Sequence, residues 1–271
     1  MVYFYIHDLN IHYFYNSLLK AIFMPTKKIS NITFIMAMQQ EAQAIIHTLN
    51  LVEKTTILHP KLPMRCFQNT VGELNITLIT SGIDSRYHVD NIGSEAATLM
   101  TYEAIIKTHP DLIISAGTAG GFAKRGAQIG TIYVSEKHFI FHDRHVPLTG
   151  FDESAIGKYP ATNMQKMADD LQLKTGVIST GSSLKKFDSD VRIVEEHQAV
   201  AKEMEAAGVA WVAMLLDVPM MAIKSITNIL DEANKSEDEF IKNFDIASNQ
   251  LHLKIIDVID YLQHKTLNDL R

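Results

Sequence analysis

Short apolar runs separated by longer amphipathic stretches constrain this fold more than any other feature of the sequence. Ile32-Thr33-Phe34-Ile35-Met36-Ala37 suits a buried strand, and Gln40 to Leu49 carries a helical pattern directly after it. Met64 to Asn69 and Leu74 to Thr80 read as a hairpin-like pair around Gly72. Asn91 to Lys107 has helical spacing, with Ile92, Ala96, Leu99 and Ile105 as its apolar positions. Asp111-Leu112-Ile113-Ile114-Ser115-Ala116-Gly117 predicts a fully buried strand ending in glycine. Ile129 to Ser135, Thr175 to Ser179 and Val218 to Ile226 predict further strands. Asp238 to His264 predicts a long closing helix with Phe240, Phe244, Leu251, Ile255 and Ile259 inward. A strand covered on both faces reads as a continuous apolar run, whereas one with a wet face alternates. The pattern therefore predicts an α/β protein, a three-layer αβα sandwich with a mixed but mostly parallel central sheet. No internal repeat, low-complexity tract or linker interrupts it, so residues 31–271 read as one domain.

Residues 1–30 stand apart as an extension. Tyr, Phe and Ile are frequent there, but His7, Asp8, His12 and Asn16 break them up, short of the roughly 20 apolar residues that span a bilayer. No basic segment precedes the apolar part and no small-residue cleavage site follows, so a secretory signal fits poorly. The working start is expected near Met24. A hydrophobic share of 46% with 21% charged residues is that of an ordered globular protein. The net charge of −6 argues against wholesale binding to nucleic acid. Cys66 is the single cysteine, which rules out an intrachain disulfide and a cysteine-based zinc site. The expected compartment is a reducing cytoplasm, with no membrane partner.

In open α/β sheets ligands gather beyond the carboxyl ends of the strands. Met38-Gln39-Gln40-Glu41 follows the first predicted strand, Ser81-Gly82-Ile83-Asp84 the hairpin, and Gly117-Thr118-Ala119-Gly120-Gly121 the central strand. Gly181-Ser182-Ser183-Leu184 and Thr227-Asn228 follow later ones. Glu41, Glu205 and Asn228 can thus converge on one crevice. Lys202-Glu203-Met204-Glu205 precedes the small residues Ala206 to Ala210 and a helical pattern through Trp211, Val212, Leu215 and Leu216. Two readings stay open there. Acids are ordinary at a helix start, where the macrodipole favours negative charge by about 0.3–1 kcal/mol. Carboxylates also accept hydrogen bonds from a vicinal diol, and a thioether lies well against a sugar face, which makes Glu203, Met204 and Glu205 candidates for a ribose site. Gly117 to Gly121 offers backbone N–H groups to a phosphate, or close approach to a flat neutral ligand, but lacks dinucleotide and P-loop spacing.

Four segments carry a resemblance. Ala37-Met38-Gln39-Gln40-Glu41, Ala116-Gly117-Thr118-Ala119-Gly120-Gly121-Phe122, Phe141-His142-Asp143-Arg144 and Glu203-Met204-Glu205-Ala206 resemble the 5′-methylthioadenosine/S-adenosylhomocysteine nucleosidases, in their plant-type form, within the nucleoside phosphorylase superfamily. The likeness runs, in order, from about residue 31 to 262. It implies a nucleoside phosphorylase-like fold and hydrolysis of an N-glycosidic bond that releases adenine and a thioribose, a step of methionine salvage. It assigns Glu41 to the attacking water, Glu205 to the ribose hydroxyls and Met204 to the sugar face. Thr118, Ala119 and Gly120 match the loop beside base and ribose, and Leu184 matches a hydrophobic base contact. It also implies a homodimer in which residues 144–151 complete the neighbouring pocket, and no metal or organic cofactor. The chemistry suits these parts. A departing base leaves an oxocarbenium-like sugar that an anionic Glu205 stabilises, and Glu41 can take the proton of the attacking water. A carboxylate at Glu41 also repels phosphate, which favours hydrolysis over phosphorolysis.

One position departs from the family. Its members have an aspartic acid that protonates purine N7, and the matching segment here is Ser225-Ile226-Thr227-Asn228-Ile229-Leu230-Asp231, with Asn228 at that place. An amide delivers no proton at neutral pH, but donates one hydrogen bond and accepts another. Three functions follow: an adenine-nucleoside hydrolase slowed by Asn228, a hydrolase of 6-oxopurine nucleosides such as inosine or futalosine, and a non-catalytic nucleoside-binding or storage protein. Asp231 is a poor geometric substitute. His138, His142 and His145 lack an acidic or cysteine partner at metal-site spacing, and His142 is expected to pair locally with Asp143. Lys124-Arg125 and Lys185-Lys186 read as solvated charge.

Overall fold

The computed structural model of the chain describes residues 27–185, 187–232 and 236–271. The extension as far as residue 26, including the expected start at Met24, lies outside the described residues, as does Lys186. Residues 27–30 already belong to the domain. Ile29 is buried, Lys27 Nζ lies 2.6 Å from Asp111, and the same carboxylate accepts from the amides of Ser30 and Asn31 at 2.9 Å.

The strands are β1 (Asn31–Met36), β2 (Val52–Glu53), β3 (Arg65–Val71), β4 (Leu74–Thr80), β5 (Leu112–Gly121), β6 (Ile132–Phe141), β7 (Tyr159–Pro160), β8 (Lys174–Thr180), β9 (Ala201–Glu203) and β10 (Met220–Ile229). Between them run helices α1 (Gln39–Thr48), α2 (Ser94–Thr108), α3 (Phe151–Ile156), α4 (Gln165–Asp170), α5 (Asp188–Glu196), α6 (Ala206–Leu215) and α7 (Ser236–Leu262). The sheet order is β10-β6-β8-β9-β5-β1-β4-β3-β2. Five of its pairings are parallel, among them β1 with β4 and β5, and β5 with β10. The hairpin β3–β4 is antiparallel, as expected. Because β10 pairs with both β5 and β6, one end of the sheet curls back on itself.

Helices cover both faces. Ala42 and Ile45 of α1 and Leu251, Ile255 and Ile259 of α7 pack on Ile32, Phe34 and Ile114. On the other face Ala97, Met100 and Ala104 of α2 and Val209, Ala210 and Ala213 of α6 pack on Ile35, Ile113 and Ala222. The small residues after Glu205 let α6 approach α2 closely: a Cβ on Gly208 would stand 2.9 Å from the Ser94 carbonyl oxygen. α2 ends where His109 turns into the left-handed region (φ 46) ahead of Pro110, which cannot continue a helix. Its buried stripe differs from the apolar positions of the sequence, since Leu99 and Ile92 are exposed while Ala97, Met100, Thr101 and Ala104 face inward.

Gly117 to Gly121 forms no loop. β5 continues through Gly121, paired with β10 to Ile229 and with β9 at Lys202 and Ala201. The stretch belongs to the ladder and its Thr118 amide donates to Glu41, which removes the phosphate-cradle reading. Glycine is required there by crowding: a Cβ on Gly121 would meet that of Ala127 at 2.6 Å.

Candidate active site

The carboxyl ends of β1, β5, β8, β9 and β10 open onto a cavity of about 610 Å³. Glu41, Thr118, Ala119, Gly120, Leu184, Glu203, Met204, Glu205 and Asn228 all line it. Every site residue singled out in the sequence therefore meets in one hollow, though not every one is free to touch a ligand.

Glu41 sits in the first turn of α1, held there because the amide of Gln39 donates to Asp90 Oδ1 (3.2 Å) and Thr80 Oγ1 donates to Gln39 Oε1 (3.0 Å). Its Oε1 accepts from the Thr118 amide at 2.8 Å and the Thr118 hydroxyl at 2.6 Å. A side chain at Gly117 would crowd the carboxylate, with Cβ 3.2 Å from Oε2. Burial pushes the Glu41 carboxyl above its ordinary range, and the Thr118 bonds and Lys224 offset only part of that.

Glu205 lies at the start of α6, and its Oε1 accepts from the Gly93 amide at 2.9 Å. Gly93 has φ +101, which a residue with a side chain rarely adopts. Burial and the neighbouring Glu203 push the Glu205 carboxyl up to about 7, against the pull of Lys224 and the Gly93 amide.

Glu203 departs from the ribose contact expected of it. Its carboxylate accepts from the amides of Glu205 (3.0 Å) and Ala206 (2.9 and 3.0 Å) and from the Thr180 hydroxyl, and it pairs with Lys224 Nζ at 2.8 Å. With its lone pairs engaged by protein donors, it caps α6 and neutralises a lysine. Lys224 was not singled out in the sequence, yet it is fully buried and central to the site's charge. Burial opposes its charge, but Glu203, Glu205 and Glu41 outweigh that and raise its value. Its signal was present: one cation inside the apolar run Met220 to Ile229 must have buried anionic company. His88, Asp90 and Phe240 are further lining residues that sequence reasoning missed as site residues. They come from a loop and from a helix that reads as core.

Asn228 is buried, and its Oδ1 lies 2.9 Å from the Thr227 hydroxyl. Its Nδ2 has no protein partner among the described residues and is left to whatever fills the cavity. Asp231 cannot take over the role of an acid there, because its two oxygens accept from the amides of Ala123 (2.6 Å) and Lys124 (3.0 Å) in the exposed turn after β10. The histidines do not converge. His138 stands edge-on to His197, with ring centroids 6.3 Å apart, and His142 Nδ1 lies 2.7 Å from Ser179 Oγ. Asp143 Oδ2 accepts from the Ser182 amide at 2.6 Å, in the loop after β8. No group of three or more metal-ligating side chains occurs among the described residues.

This arrangement has close parallels among known proteins. A family model described as the phosphorylase superfamily matches residues 31–260. The 5′-methylthioadenosine/S-adenosylhomocysteine nucleosidase of Arabidopsis thaliana is 38% identical over 248 residues, covering 90% of this chain and 96% of the relative. The apo structure of the Arabidopsis thaliana 5′-methylthioadenosine nucleosidase matches with a TM-score of 0.88 at 33% identity, over 90% of this chain and 100% of that one. The futalosine hydrolase of Helicobacter pylori matches with a TM-score of 0.70 at 22% identity, over 86% and 98%, a likeness of fold alone. With the fold, the matched length and the identity in agreement, the chain belongs to the 5′-methylthioadenosine/S-adenosylhomocysteine nucleosidase family of the phosphorylase superfamily.

Proposed function

We propose that this protein is a purine nucleosidase that hydrolyses the N-glycosidic bond of 5′-methylthioadenosine and S-adenosylhomocysteine, the two substrates for which its 38%-identical plant relative is named. The observation that carries the reading is the pair of carboxylates, buried Glu41 and half-buried Glu205, lining one cavity together with Met204. Met204 packs on the sugar and Glu205 accepts from its hydroxyls. As the C1′–N9 bond lengthens, positive charge grows on the sugar, and the anionic Glu205 stabilises it. Glu41, oriented by Thr118, takes one proton of the water whose oxygen attacks C1′, and no phosphate is consumed. Thr118, Ala119 and Gly120 wall the base and ribose, and Leu184 covers the base. Asn228 donates from Nδ2 to purine N7, and the departing base then takes its proton from solvent.

Asn228 also supports a second reading. An unpartnered, buried N–H donor suits the O6 acceptor of a 6-oxopurine, while the second lone pair of Oδ1 accepts from a protonated N7. Purified protein given methylthioadenosine, adenosylhomocysteine, inosine and futalosine, with and without phosphate, separates the possibilities by chromatography of the released base. Adenine without a phosphate requirement is expected. Hypoxanthine alone would select the second reading, and no base from any substrate would select nucleoside binding or storage.

The working unit is a homodimer in the cytoplasm, with residues 144–151 of each subunit closing the partner's pocket. Exposed Leu99 and Tyr102 on α2, Trp211 and Leu215 on α6, and Leu148 and Phe151 beyond β6 support a self-complementary apolar face. Light scattering behind a sizing column is expected to give twice the chain mass.

A further inference from the structure

His142 and Asp143, the two residues after β6, have no part in the chemistry above, yet they are tied to the cavity. The His142 amide donates to the Thr180 carbonyl at 3.0 Å, extending the β6–β8 ladder by one residue. Its ring is buried tight against the next turn: a Cβ on Gly181 would stand 2.2 Å from His142 Nε2. Asp143 Oδ2 accepts from the Ser182 amide at 2.6 Å. From the other side Lys202 Nζ donates to the Ser183 carbonyl at 3.1 Å and the Lys185 carbonyl at 2.7 Å. The loop that carries Leu184 into the cavity is thus gripped on both flanks of that residue. Immediately after Asp143, the Arg144 guanidinium lies over the Phe141 ring, 3.3 Å from its centroid, and the exposed segment 144–151 begins.

We infer that His142 and Asp143 are positioning residues for the base, a clasp that sets the loop Gly181–Lys185 and hence where Leu184 meets the purine. The same strand end therefore fixes the base side of its own pocket and launches the segment that reaches towards a partner. The base assignment rests on the nucleosidase reading, whereas the clasp itself can be tested without it. An exposed loop of five residues with one apolar anchor has many conformations, and fixing its backbone beforehand removes part of the entropy lost on binding.

The experiment compares wild type, Asp143→Ala, Asp143→Asn, Gly181→Ala and the double variant His142→Ala/Gly181→Ala. Hydrogen exchange of the ligand-free proteins reads the clasp directly. The Ser182 amide is expected to exchange at least tenfold faster in Asp143→Ala and near the wild-type rate in Asp143→Asn, which keeps an acceptor oxygen. Titration with adenine and with hypoxanthine reads the consequence. The preferred base is expected to bind about tenfold more weakly to Asp143→Ala and to Gly181→Ala, with recovery to within threefold in Asp143→Asn and in the double variant. In turnover the loss falls on KM, with kcat within twofold. Unchanged exchange at Ser182 in Asp143→Ala overturns the clasp. Faster exchange with unchanged base affinity overturns its role in positioning the base. Wild-type protein that binds neither base overturns the nucleosidase reading instead, and exchange then still decides the clasp.

Discussion

Replacing Glu205 with glutamine tests the electrostatics of the site most directly. Burial, the neighbouring Glu203 and the more distant Glu41 hold this carboxyl at about 7, compared with an ordinary value of 4.5. An acid whose value is higher in the folded chain than in the unfolded one is bound by its proton more tightly in the folded state. Its contribution to stability is complete below pH 4.5 and is lost as the pH rises through about 7. That displacement corresponds to about 3 kcal/mol, taking about 1.36 kcal/mol per pH unit. At roughly 2–4 °C per kcal/mol for a chain of this size, the melting temperature responds by about 6–12 °C. Glutamine carries no titrating proton, so Glu205→Gln removes this component while other groups continue to titrate. Urea denaturation of both proteins at pH 5 and pH 8.5 is the assay, with the difference between the two pH dependences as the readout. Wild type is expected to lose about 3 kcal/mol more than the variant on going to pH 8.5. PH dependences that agree to within about 1 kcal/mol would refute the argument. Activity moves the other way. The ionised carboxylate is the form that stabilises a cationic sugar, so kcat/KM of the wild type falls as the pH drops below about 7.

Three further outcomes are expected. Asn228→Asp puts an acid at the position proposed to face purine N7 and raises adenine release at least tenfold, a barrier change of ~1.4 kcal/mol, measured by initial rates; an unchanged rate refutes the role given to that position. Glu41→Gln, which keeps an acceptor for Thr118 but no base, lowers kcat by about 10²–10⁴ and leaves nucleoside affinity within about threefold by calorimetry. Lys224→Met leaves Glu203 buried without its cation and destabilises the fold by about 3–5 kcal/mol in denaturant, and adding Glu203→Gln recovers part of that loss.

The strands that carry the site were legible because a buried parallel strand advertises itself as an unbroken apolar run. Asn31–Met36, Leu74–Thr80 and the first half of β5 fell within a residue or two of expectation for that reason. β5 and β6 ran longer than predicted. Glycines at 117, 120 and 121 look like punctuation in a sequence, yet here they serve close packing against Glu41, Asn228 and Ala127. The three-residue β9 was invisible, since Ala201-Lys202-Glu203 has no periodicity of its own and becomes a strand only by pairing with β5 and β8. The same limit explains Glu203. Sequence shows two acids flanking a methionine, but only the fold reveals that one of them faces Lys224 and the start of α6 while the other faces the cavity. Exposed Leu99 on α2 reads as core from spacing alone. Its outward position gains meaning from Trp211 and Leu215, which are exposed on the neighbouring α6.

Buried charge at the strand ends links this fold to its reaction. Three carboxylates, Glu41, Glu203 and Glu205, act on one buried lysine, Lys224; burial raises the carboxyls of Glu41 and Glu205, and repulsion from Glu203 and Glu41 adds to the rise at Glu205. In the free protein that surplus of negative charge is unfavourable, and the ladder around β5 and β10 holds it in place. A neutral nucleoside does little to relieve it. An oxocarbenium-like sugar, carrying up to one positive charge between Glu41 and Glu205, relieves it strongly. Only interactions that are stronger in the transition state than in the ground state accelerate the chemical step. The crowding of carboxylates around the cavity is therefore the source of the discrimination, and it acts on the sugar whichever purine leaves. In the proposed mechanism Asn228 acts on the other half of the breaking bond, where an amide in place of an acid leaves the sugar-side stabilisation intact but withholds the proton. For that reason Asn228→Asp and Glu205→Gln should act independently. Their effects on the barrier should add to within about 0.5 kcal/mol in the double variant if the two ends of the bond are stabilised separately, and a larger departure would show that the two positions are coupled through the substrate.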